Sequence, residues 1–300
     1  MLLRGLFTAL VTPFHKNGEL DEEGLKANLH HQLNSGVDGV VVLGTTGESP
    51  TLSDQERTRL IKCVVKELKG RIPVMVGTGT NSTQKSIHQT MEAEKLGADA
   101  VLVMTPYYNK PTQEGIFRHF EALAKAATIP ICIYNIPHRT GQNIQTDTLM
   151  RISQYKRVIG VKEASGNISQ ICDVLEFARS QKGYSLMSGD DFLTLPVCSM
   201  GGQGVISVLS NLIPGKMKEF VAACLAKDFT KAEELHFQFL PLFKTIFIET
   251  NPIPIKAAMQ HFNMPSGPCR LPLCELSSNA SEQLQAVLKA IPHSWLAHHG

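Results

Sequence analysis

The residues best suited to chemistry lie at the end of one apolar stretch. Residues 158–161 are Val-Ile-Gly-Val, Lys162 follows them, and Gly166-Asn167 then opens a helical pattern. This pattern predicts a buried strand whose last inward residue is an amine. Burial disfavours the charged ammonium, and a neutral amine can attack a carbonyl to form a Schiff base. The ordinary alternative is a lysine that extends to solvent or pairs with a carboxylate.

A second polar segment follows the second predicted strand. Residues 44–48 are Gly-Thr-Thr-Gly-Glu, so two glycines permit a tight turn with exposed amides and two threonines add hydroxyls. This set suits a carboxylate or a developing oxyanion. The glycine spacing differs from that of a dinucleotide-binding or phosphate-binding loop, and so does that of residues 77–79.

Aromatic and cationic residues follow two further predicted strands. Tyr107 and Tyr108 are adjacent after the fourth strand, Tyr134 ends the fifth, and Arg139 lies in the loop after it. Each has an ordinary explanation alone: interface packing, a core aromatic whose hydroxyl meets a carbonyl, or a surface charge. Because an amine, a phenol, hydroxyls and a guanidinium occur together at strand ends, we interpret them as one site.

Strand-like and helical patterns alternate along the first 226 residues. Eight apolar runs, beginning near residues 5, 39, 72, 98, 131, 158, 185 and 204, are each followed by a helical pattern. Strands that are apolar throughout are covered on both faces. The eight units predict a closed (β/α)8 TIM barrel, with an open doubly wound sheet as the alternative. Active groups of such barrels lie at the C-terminal strand ends, where we interpret Asp190-Asp191 as a helix start.

The alternation of strand-like and helical patterns does not continue in the remainder of the chain. We expect residues 1–226 to form the barrel domain and residues 227–300 a C-terminal helical extension. Helices are predicted over 229–248, 253–262 and 281–291, with a solvated tail over 293–300. The histidines of the tail have no ligand partners in the sequence, so no metal site is predicted.

Composition excludes several classes of protein. The chain has 300 residues, of which 43% are hydrophobic and 19% charged, as in a soluble globular protein with a large core. A formal net charge of +2 favours neither nucleic acid nor an anionic membrane as partner. No apolar run approaches the length of a membrane span, and the apolar start reads as a strand and not as a signal peptide. Seven scattered cysteines without metal or redox spacing indicate reduced thiols in a cytosolic protein.

Six stretches, in order along nearly the whole chain, resemble the dihydrodipicolinate synthase (4-hydroxy-tetrahydrodipicolinate synthase) family of class I pyruvate aldolases. They are Gly-Thr-Thr-Gly-Glu (44–48), Thr-Pro-Tyr-Tyr-Asn (105–109), Tyr-Asn-Ile-Pro-His-Arg-Thr-Gly (134–141), Gly-Val-Lys-Glu-Ala-Ser-Gly (160–166), Ser-Gly-Asp-Asp (188–191) and Asn-Pro-Ile-Pro-Ile-Lys (251–256). Other Schiff-base aldolases, such as N-acetylneuraminate lyase or keto-deoxy-sugar acid aldolases, share the Thr-Thr loop, the tyrosine and the lysine. Arg139 and the tyrosine pair favour the synthase. A barrel that only binds a ligand is a third hypothesis.

The resemblance implies a reaction and the residues that carry it. Lys162 forms an imine with pyruvate, and the resulting enamine attacks the aldehyde of L-aspartate 4-semialdehyde. Tyr134, Thr45 and Tyr108 form a proton relay, in which Tyr108 comes from a neighbouring subunit. Arg139 holds the carboxylate of the semialdehyde by its fork of donors.

Further roles follow from the same resemblance. Thr46 joins Thr45 in holding the pyruvate carboxylate, and Gly189 and Ile206 line the pocket. Neither a metal nor an organic cofactor is implied, because the lysine supplies the electron sink. The family is typically a cytoplasmic homotetramer, a dimer of dimers, and serves diaminopimelate and lysine biosynthesis.

The resemblance weakens in one region. Feedback-inhibited members bind lysine at a subunit interface, at positions that correspond here to Ser49, Asn81 and Tyr107. Such members usually carry histidines where this chain has Asp54 and Arg57, and a glutamate where it has Lys85. Lys85 presents a like charge to the ligand's ammonium, so we predict weak or absent inhibition by lysine.

Overall fold

A closed barrel of eight parallel strands forms the centre of the protein, as expected from the sequence. The structure is a computed structural model that describes residues 3–296; residues 1–2 and 297–300, and with them half of the predicted solvated tail, lie outside the described residues. The strands are β1 (Gly5–Ala9), β2 (Gly39–Val42), β3 (Val74–Gly77), β4 (Ala100–Met104), β5 (Ile131–Asn135), β6 (Val158–Glu163), β7 (Ser185–Ser188) and β8 (Gly204–Ser207). They follow one another around the barrel in chain order, and β8 pairs with β1.

Helices surround the strands and continue into the C-terminal extension. They are α1 (Glu22–Asn34), α2 (Asp54–Leu68), α3 (Thr83–Lys95), α4 (Gln113–Ala126), α5 (Pro137–Thr140), α6 (Thr146–Ser153), α7 (Ile168–Ser180), α8 (Thr194–Ser199), α9 (Pro214–Ala226), α10 (Phe229–Thr245), α11 (Ile253–His261) and α12 (Ser278–Leu288). Helix α2 begins with a capping box, in which Ser53 and Glu56 each bond the other's backbone N–H. Among residues 3–296, no helix combines the length and the apolar character that a membrane span requires.

Side chains from the strands fill the barrel interior. Phe7, Met75, Met187 and Ile206 belong to one buried cluster that also contains Tyr134. Gly39 on β2 is required by this packing, because a Cβ atom there would lie 2.3 Å from the Phe7 ring. The barrel is therefore a packed core, and a ligand can reach it only at the strand ends.

The extension packs on the outside of the barrel and also reaches its mouth. Helix α10 packs against α8, α9 and α12, and the Trp295 ring lies 5.2 Å from that of Phe239. The segment between α10 and α11 turns back towards the loop after β2, where Asn251 meets Thr46. The extension thus contributes to the same end of the barrel as the C-terminal strand ends.

The interpretation of Asp190-Asp191 as a helix start is wrong. Helix α8 begins only at Thr194. The buried Asp191 carboxylate instead accepts the backbone N–H groups of Val208 and Leu209, at 2.8 and 3.1 Å, and so joins the turn before α8 to the segment after β8. Burial raises the pKa of Asp191 to about 6.

Candidate active site

The amine of Lys162 is buried at the C-terminal end of β6. In the strand register Lys162 lies beside Tyr134 of β5 and Met187 of β7. Its side chain is 5% exposed, and Nζ lies 4.2 Å from the centroid of the Tyr134 ring. Lys162 forms no ion pair with any carboxylate in the part of the chain that the structure describes. Neither ordinary role of a strand-end lysine, extension to solvent or pairing with an acid, therefore describes it.

The carboxylate next to Lys162 in sequence is satisfied elsewhere. Successive side chains of a strand point to opposite faces. Accordingly Glu163, which is 2% exposed, accepts bonds from Asn135 Nδ2 at 3.0 and 3.1 Å and from the backbone N–H of Ser165 at 2.7 Å. Gln170 adds a further bond at 3.3 Å. This network holds β5 and α7 against β6 and leaves the Lys162 face of the strand without that negative charge.

One predicted pocket residue lies beside the lysine, and a second is buried in the barrel interior. A Cβ atom on Gly189 would lie 3.1 Å from Cε of Lys162 and 2.7 Å from Cβ of Ala164, so only glycine leaves room for the lysine stem. Ile206 is fully buried in the same interior cluster as Tyr134. The structure therefore brings Lys162, Tyr134, Gly189 and Ile206 together.

The loop after β2 is fixed by bonds from two directions. Thr12 Oγ1 donates to the carbonyl of Gly47 at 2.7 Å. From the extension, Asn251 Nδ2 donates to Thr46 Oγ1 at 3.0 Å. Thr46 is buried, whereas Thr45 is half-buried and its carbonyl accepts the N–H of Glu48 at 3.1 Å. The two threonines are thus held in a closed turn at the barrel mouth.

Arg139 stands on the single turn of α5, in a segment that the sequence suggested to be a loop. Its side chain is exposed, and Nη2 donates to the carbonyl of Asn251 at 3.2 Å. Asn251 therefore contacts both Thr46 and Arg139, the two predicted carboxylate-binding positions. No pattern in the sequence predicted a role for Asn251. A sequence feature that could have indicated such a role is its position, because Asn251 opens the proline-rich stretch that interrupts the helices of the extension.

A cavity of about 410 Å³ opens beside this loop. Thr45, Arg139 and Asn251 line it, together with Ser49 and Tyr107. Lys162, Tyr134, Gly189 and Ile206 are not among its lining residues. A larger cavity of about 760 Å³ lies between α1, α11 and α12 and contains none of the predicted site residues.

The structure does not bring Tyr108 to Lys162 within one chain. Tyr108 is 87% exposed on the loop after β4 and has a left-handed backbone conformation, with φ of 73°. Its neighbour Asn109 donates from Nδ2 to the carbonyl of Asn81 at 2.9 Å, so the loops after β3 and β4 are joined. Ser49 and Tyr107 line the cavity, whereas Asn81 is absent from its lining.

Comparison with known proteins assigns the chain to a family. The profile of the dihydrodipicolinate synthetase family matches residues 2–291. A 4-hydroxy-tetrahydrodipicolinate synthase of Protochlamydia amoebophila is 57% identical over 299 residues, which are 99% of this chain and 100% of that protein. A crystal structure of dihydrodipicolinate synthase from Thermotoga maritima superposes with a TM-score of 0.94 at 44% identity, covering 96% of this chain and 98% of that one.

A third relative is described as monomeric. A monomeric dihydrodipicolinate synthase variant superposes with a TM-score of 0.94 at 43% identity, covering 98% of each chain.

The described residues contain no group of three or more histidines, cysteines or acids placed to hold a metal ion. The matches span the barrel and the extension together, and the chain belongs to the dihydrodipicolinate synthetase family.

Proposed function

We propose that this chain condenses pyruvate with L-aspartate 4-semialdehyde through a Schiff base on Lys162, giving 4-hydroxy-tetrahydrodipicolinate. The observation that carries the proposal is the position of Lys162. Its amine is 5% exposed at the C-terminal end of β6, lies over the Tyr134 ring, and has no ion-pair partner among residues 3–296. An amine so placed is suited to nucleophilic attack on a keto acid.

The reaction begins with attack of Lys162 Nζ on the ketone carbon of pyruvate, and loss of water gives the imine. The protonated imine withdraws electrons, so the methyl group loses a proton and an enamine forms. The enamine carbon bonds to the aldehyde carbon of the second substrate. The amine of that substrate then attacks the imine carbon, closes the ring and releases Lys162. No separate cofactor is needed for these steps, because the imine itself accepts the electron pair.

Each step moves a proton, and three hydroxyls are proposed to carry it. Tyr134 serves as the acid and base beside the imine, and Thr45 links it to Tyr108 of a neighbouring subunit. The exposure of Tyr108 in a single chain supports this division of labour. We further propose that the active assembly is a homotetramer built from two dimers, acting in the cytoplasm in diaminopimelate and lysine biosynthesis.

The carboxylates of the two substrates need separate sites. Thr45 and Thr46 are proposed to hold pyruvate, and Arg139 the semialdehyde, with Gly189 and Ile206 shaping the space around the imine. The contacts of Asn251 with Thr46 and Arg139 support this assignment. We therefore propose that residues 1–226 form the catalytic barrel and residues 227–300 a helical extension that steadies its mouth.

Borohydride reduction in the presence of pyruvate tests the proposal. The wild-type protein should gain the mass of one reduced pyruvate adduct, located on Lys162, and Lys162→Met should gain none. The matched control is Lys156→Met, which removes an exposed lysine just before β6 and should trap normally. Absence of the adduct would leave a barrel that only binds ligands. An adduct combined with cleavage of sugar acids, and no turnover of aspartate semialdehyde, would identify another Schiff-base aldolase.

A further inference from the structure

The side chain of Asn251 reaches from the extension into the loop after β2. Asn251 and Thr46 are both buried, and Nδ2 of Asn251 donates to Oγ1 of Thr46 at 3.0 Å. Among residues 3–296, this is the one hydrogen bond that the Thr46 hydroxyl forms. A hydroxyl can both donate and accept, so the direction of this single bond decides which capacity the hydroxyl keeps.

The direction of the bond leaves the Thr46 hydroxyl as a donor. An amide nitrogen donates hydrogen bonds and does not accept them. The oxygen of Thr46 is therefore the acceptor, and the proton of its hydroxyl is not used by Asn251. Oδ1 of Asn251, which could attract that proton, is buried and accepts no hydrogen bond within the described part of the chain. The Thr46 proton thus remains available at the barrel mouth.

The main chain of Asn251 makes a separate contact. Its carbonyl accepts a hydrogen bond from Nη2 of Arg139 at 3.2 Å. Every residue type has a backbone carbonyl, whereas the contact with Thr46 needs the amide side chain. A substitution of the side chain should therefore change the contact with Thr46 and keep the contact with Arg139.

We propose that Asn251 is a positioning residue for the first substrate, because its amide sets the Thr46 hydroxyl to donate to the carboxylate of pyruvate. The inference rests on the proposed function, in which Thr45 and Thr46 hold that carboxylate. A carboxylate only accepts hydrogen bonds, so a hydroxyl already set as a donor needs no reorientation when pyruvate binds. The bond that Thr46 accepts also polarises its hydroxyl and strengthens the bond that it donates.

The dependence of borohydride trapping on pyruvate concentration tests this role in two variants. Asn251→Ala removes the amide donor and should raise the concentration for half-maximal trapping roughly twofold to tenfold, the effect of one neutral hydrogen bond. Asn251→Asp supplies a carboxylate of nearly the same size, which takes the Thr46 proton and repels the substrate. It should raise that concentration roughly tenfold or more. In Asn251→Ala, KM for aspartate semialdehyde should change less than about twofold, because the main-chain contact with Arg139 remains.

A double-mutant cycle shows whether Asn251 acts through Thr46. Thr46→Val removes the hydroxyl, so the addition of Asn251→Ala should raise the required pyruvate concentration no further. If Asn251 only stabilised the barrel mouth, its effect would add to that of Thr46→Val. The matched control is Asn279→Ala, which removes an exposed asparagine of α12 and should leave the use of both substrates unchanged.

The outcomes separate this inference from the proposed reaction. Complete trapping at saturating pyruvate shows that a variant is folded, and Asn251→Asp, which keeps the size of the side chain, still tests the inference if Asn251→Ala is unstable. The inference would be overturned by an unchanged pyruvate requirement, by wild-type behaviour of Asn251→Asp, or by additive effects in the cycle, and the imine would stand in each case. Absence of the adduct in the wild type would refute the reaction and the inference with it.

Discussion

Lys256 Nζ lies 2.7 Å from Oε1 of Glu48, and both side chains are almost completely withdrawn from solvent, at 2% and 0% exposed. The same ammonium donates to the carbonyls of Thr12 at 3.1 Å and Pro268 at 2.8 Å. Burial lowers the pKa of Lys256, and Glu48 opposes that shift. Lys162 is also buried but faces an aromatic ring without an ion-pair partner among the described residues. Lys256 is thus compensated as part of the scaffold, whereas Lys162 has no compensating acid among the described residues.

Breaking the Glu48–Lys256 pair should destabilise the protein severely. Lys256→Met leaves a buried carboxylate without its cation, which typically costs about 3–5 kcal/mol in free energy of unfolding. The double variant Glu48→Gln with Lys256→Met removes both charges and should recover most of that loss. Urea unfolding of the two variants beside the wild type measures the difference.

The control is an exposed pair with the same distance between its charged atoms. Lys26 Nζ also lies 2.7 Å from a glutamate oxygen, that of Glu23, but both groups are open to solvent. Lys26→Met should leave the unfolding curve essentially unchanged. A Lys256→Met curve as close to the wild type as that of Lys26→Met would show that burial of the ion pair contributes little.

The two lysines also show what can and cannot be predicted from the sequence. The reasoning that singled out Lys162, a lysine within an apolar run, applies equally to Lys256 in Ile253–His261. Its partner Glu48 lies 208 positions away, and no local pattern reveals a pairing over that distance. Periodicity can therefore find costly buried charges but cannot tell which of them are neutralised.

Local rules performed well where the contacts are local. The prediction of eight strands in a closed barrel is confirmed, and the side chains of Asp21 and Ser53, both residue types typical of helix starts, cap α1 and α2. Asp191 fails the same reasoning because its partners, Val208 and Leu209, come from the segment after another strand. Asn251 likewise acquires its contacts only when the extension folds back to the barrel mouth.

Arg139→Ala should weaken use of the second substrate selectively. Loss of charge-assisted bonds to a carboxylate costs about 1.5–3 kcal/mol, so KM for aspartate semialdehyde should rise roughly tenfold to a hundredfold. KM for pyruvate should change little, because Thr45 and Thr46 are proposed to hold that substrate. Initial-rate kinetics with each substrate varied in turn give both values. The control is Arg118→Ala on the outer surface of α4, and an equal rise for both substrates would assign Arg139 to general positioning.

Mixing two inactive variants should restore activity if Tyr108 acts across a subunit interface. Tyr108→Ala lacks the proposed relay hydroxyl and Lys162→Met lacks the nucleophile. In a mixed assembly, an intact Lys162 from one subunit meets an intact Tyr108 from its partner. Turnover should therefore appear after co-refolding of the two chains, whereas each variant refolded alone stays inactive. If the mixture stays inactive although mixed assemblies form, or if Tyr108→Ala alone retains the wild-type rate, Tyr108 does not act in trans.

The buried carboxylate of Asp191 should make stability fall as the pH rises. Its pKa is raised from 3.8 to about 6 by burial, so between these values the folded protein holds a proton that the unfolded chain releases. The stabilising effect of that proton is complete below pH 3.8 and is lost as the pH rises towards 6. The free energy of unfolding should be measured for the wild type and for Asp191→Asn across this range. The advantage of the wild type over the variant should shrink as the pH rises, by up to roughly 3 kcal/mol in total.

Glu56 provides the control, because its expected pH dependence has the opposite sign. Its bonds to Arg270 lower the pKa of Glu56 from 4.5 to about 2, so its contribution to stability is present above pH 4.5 and is lost as the pH falls. Relative to the wild type, Glu56→Gln should therefore be most destabilised near neutral pH, and Asp191→Asn most destabilised in acid. If both differences follow pH in the same direction, the shift of Asp191 is not caused by its burial. The two backbone N–H donors would then outweigh desolvation and hold the carboxylate ionised.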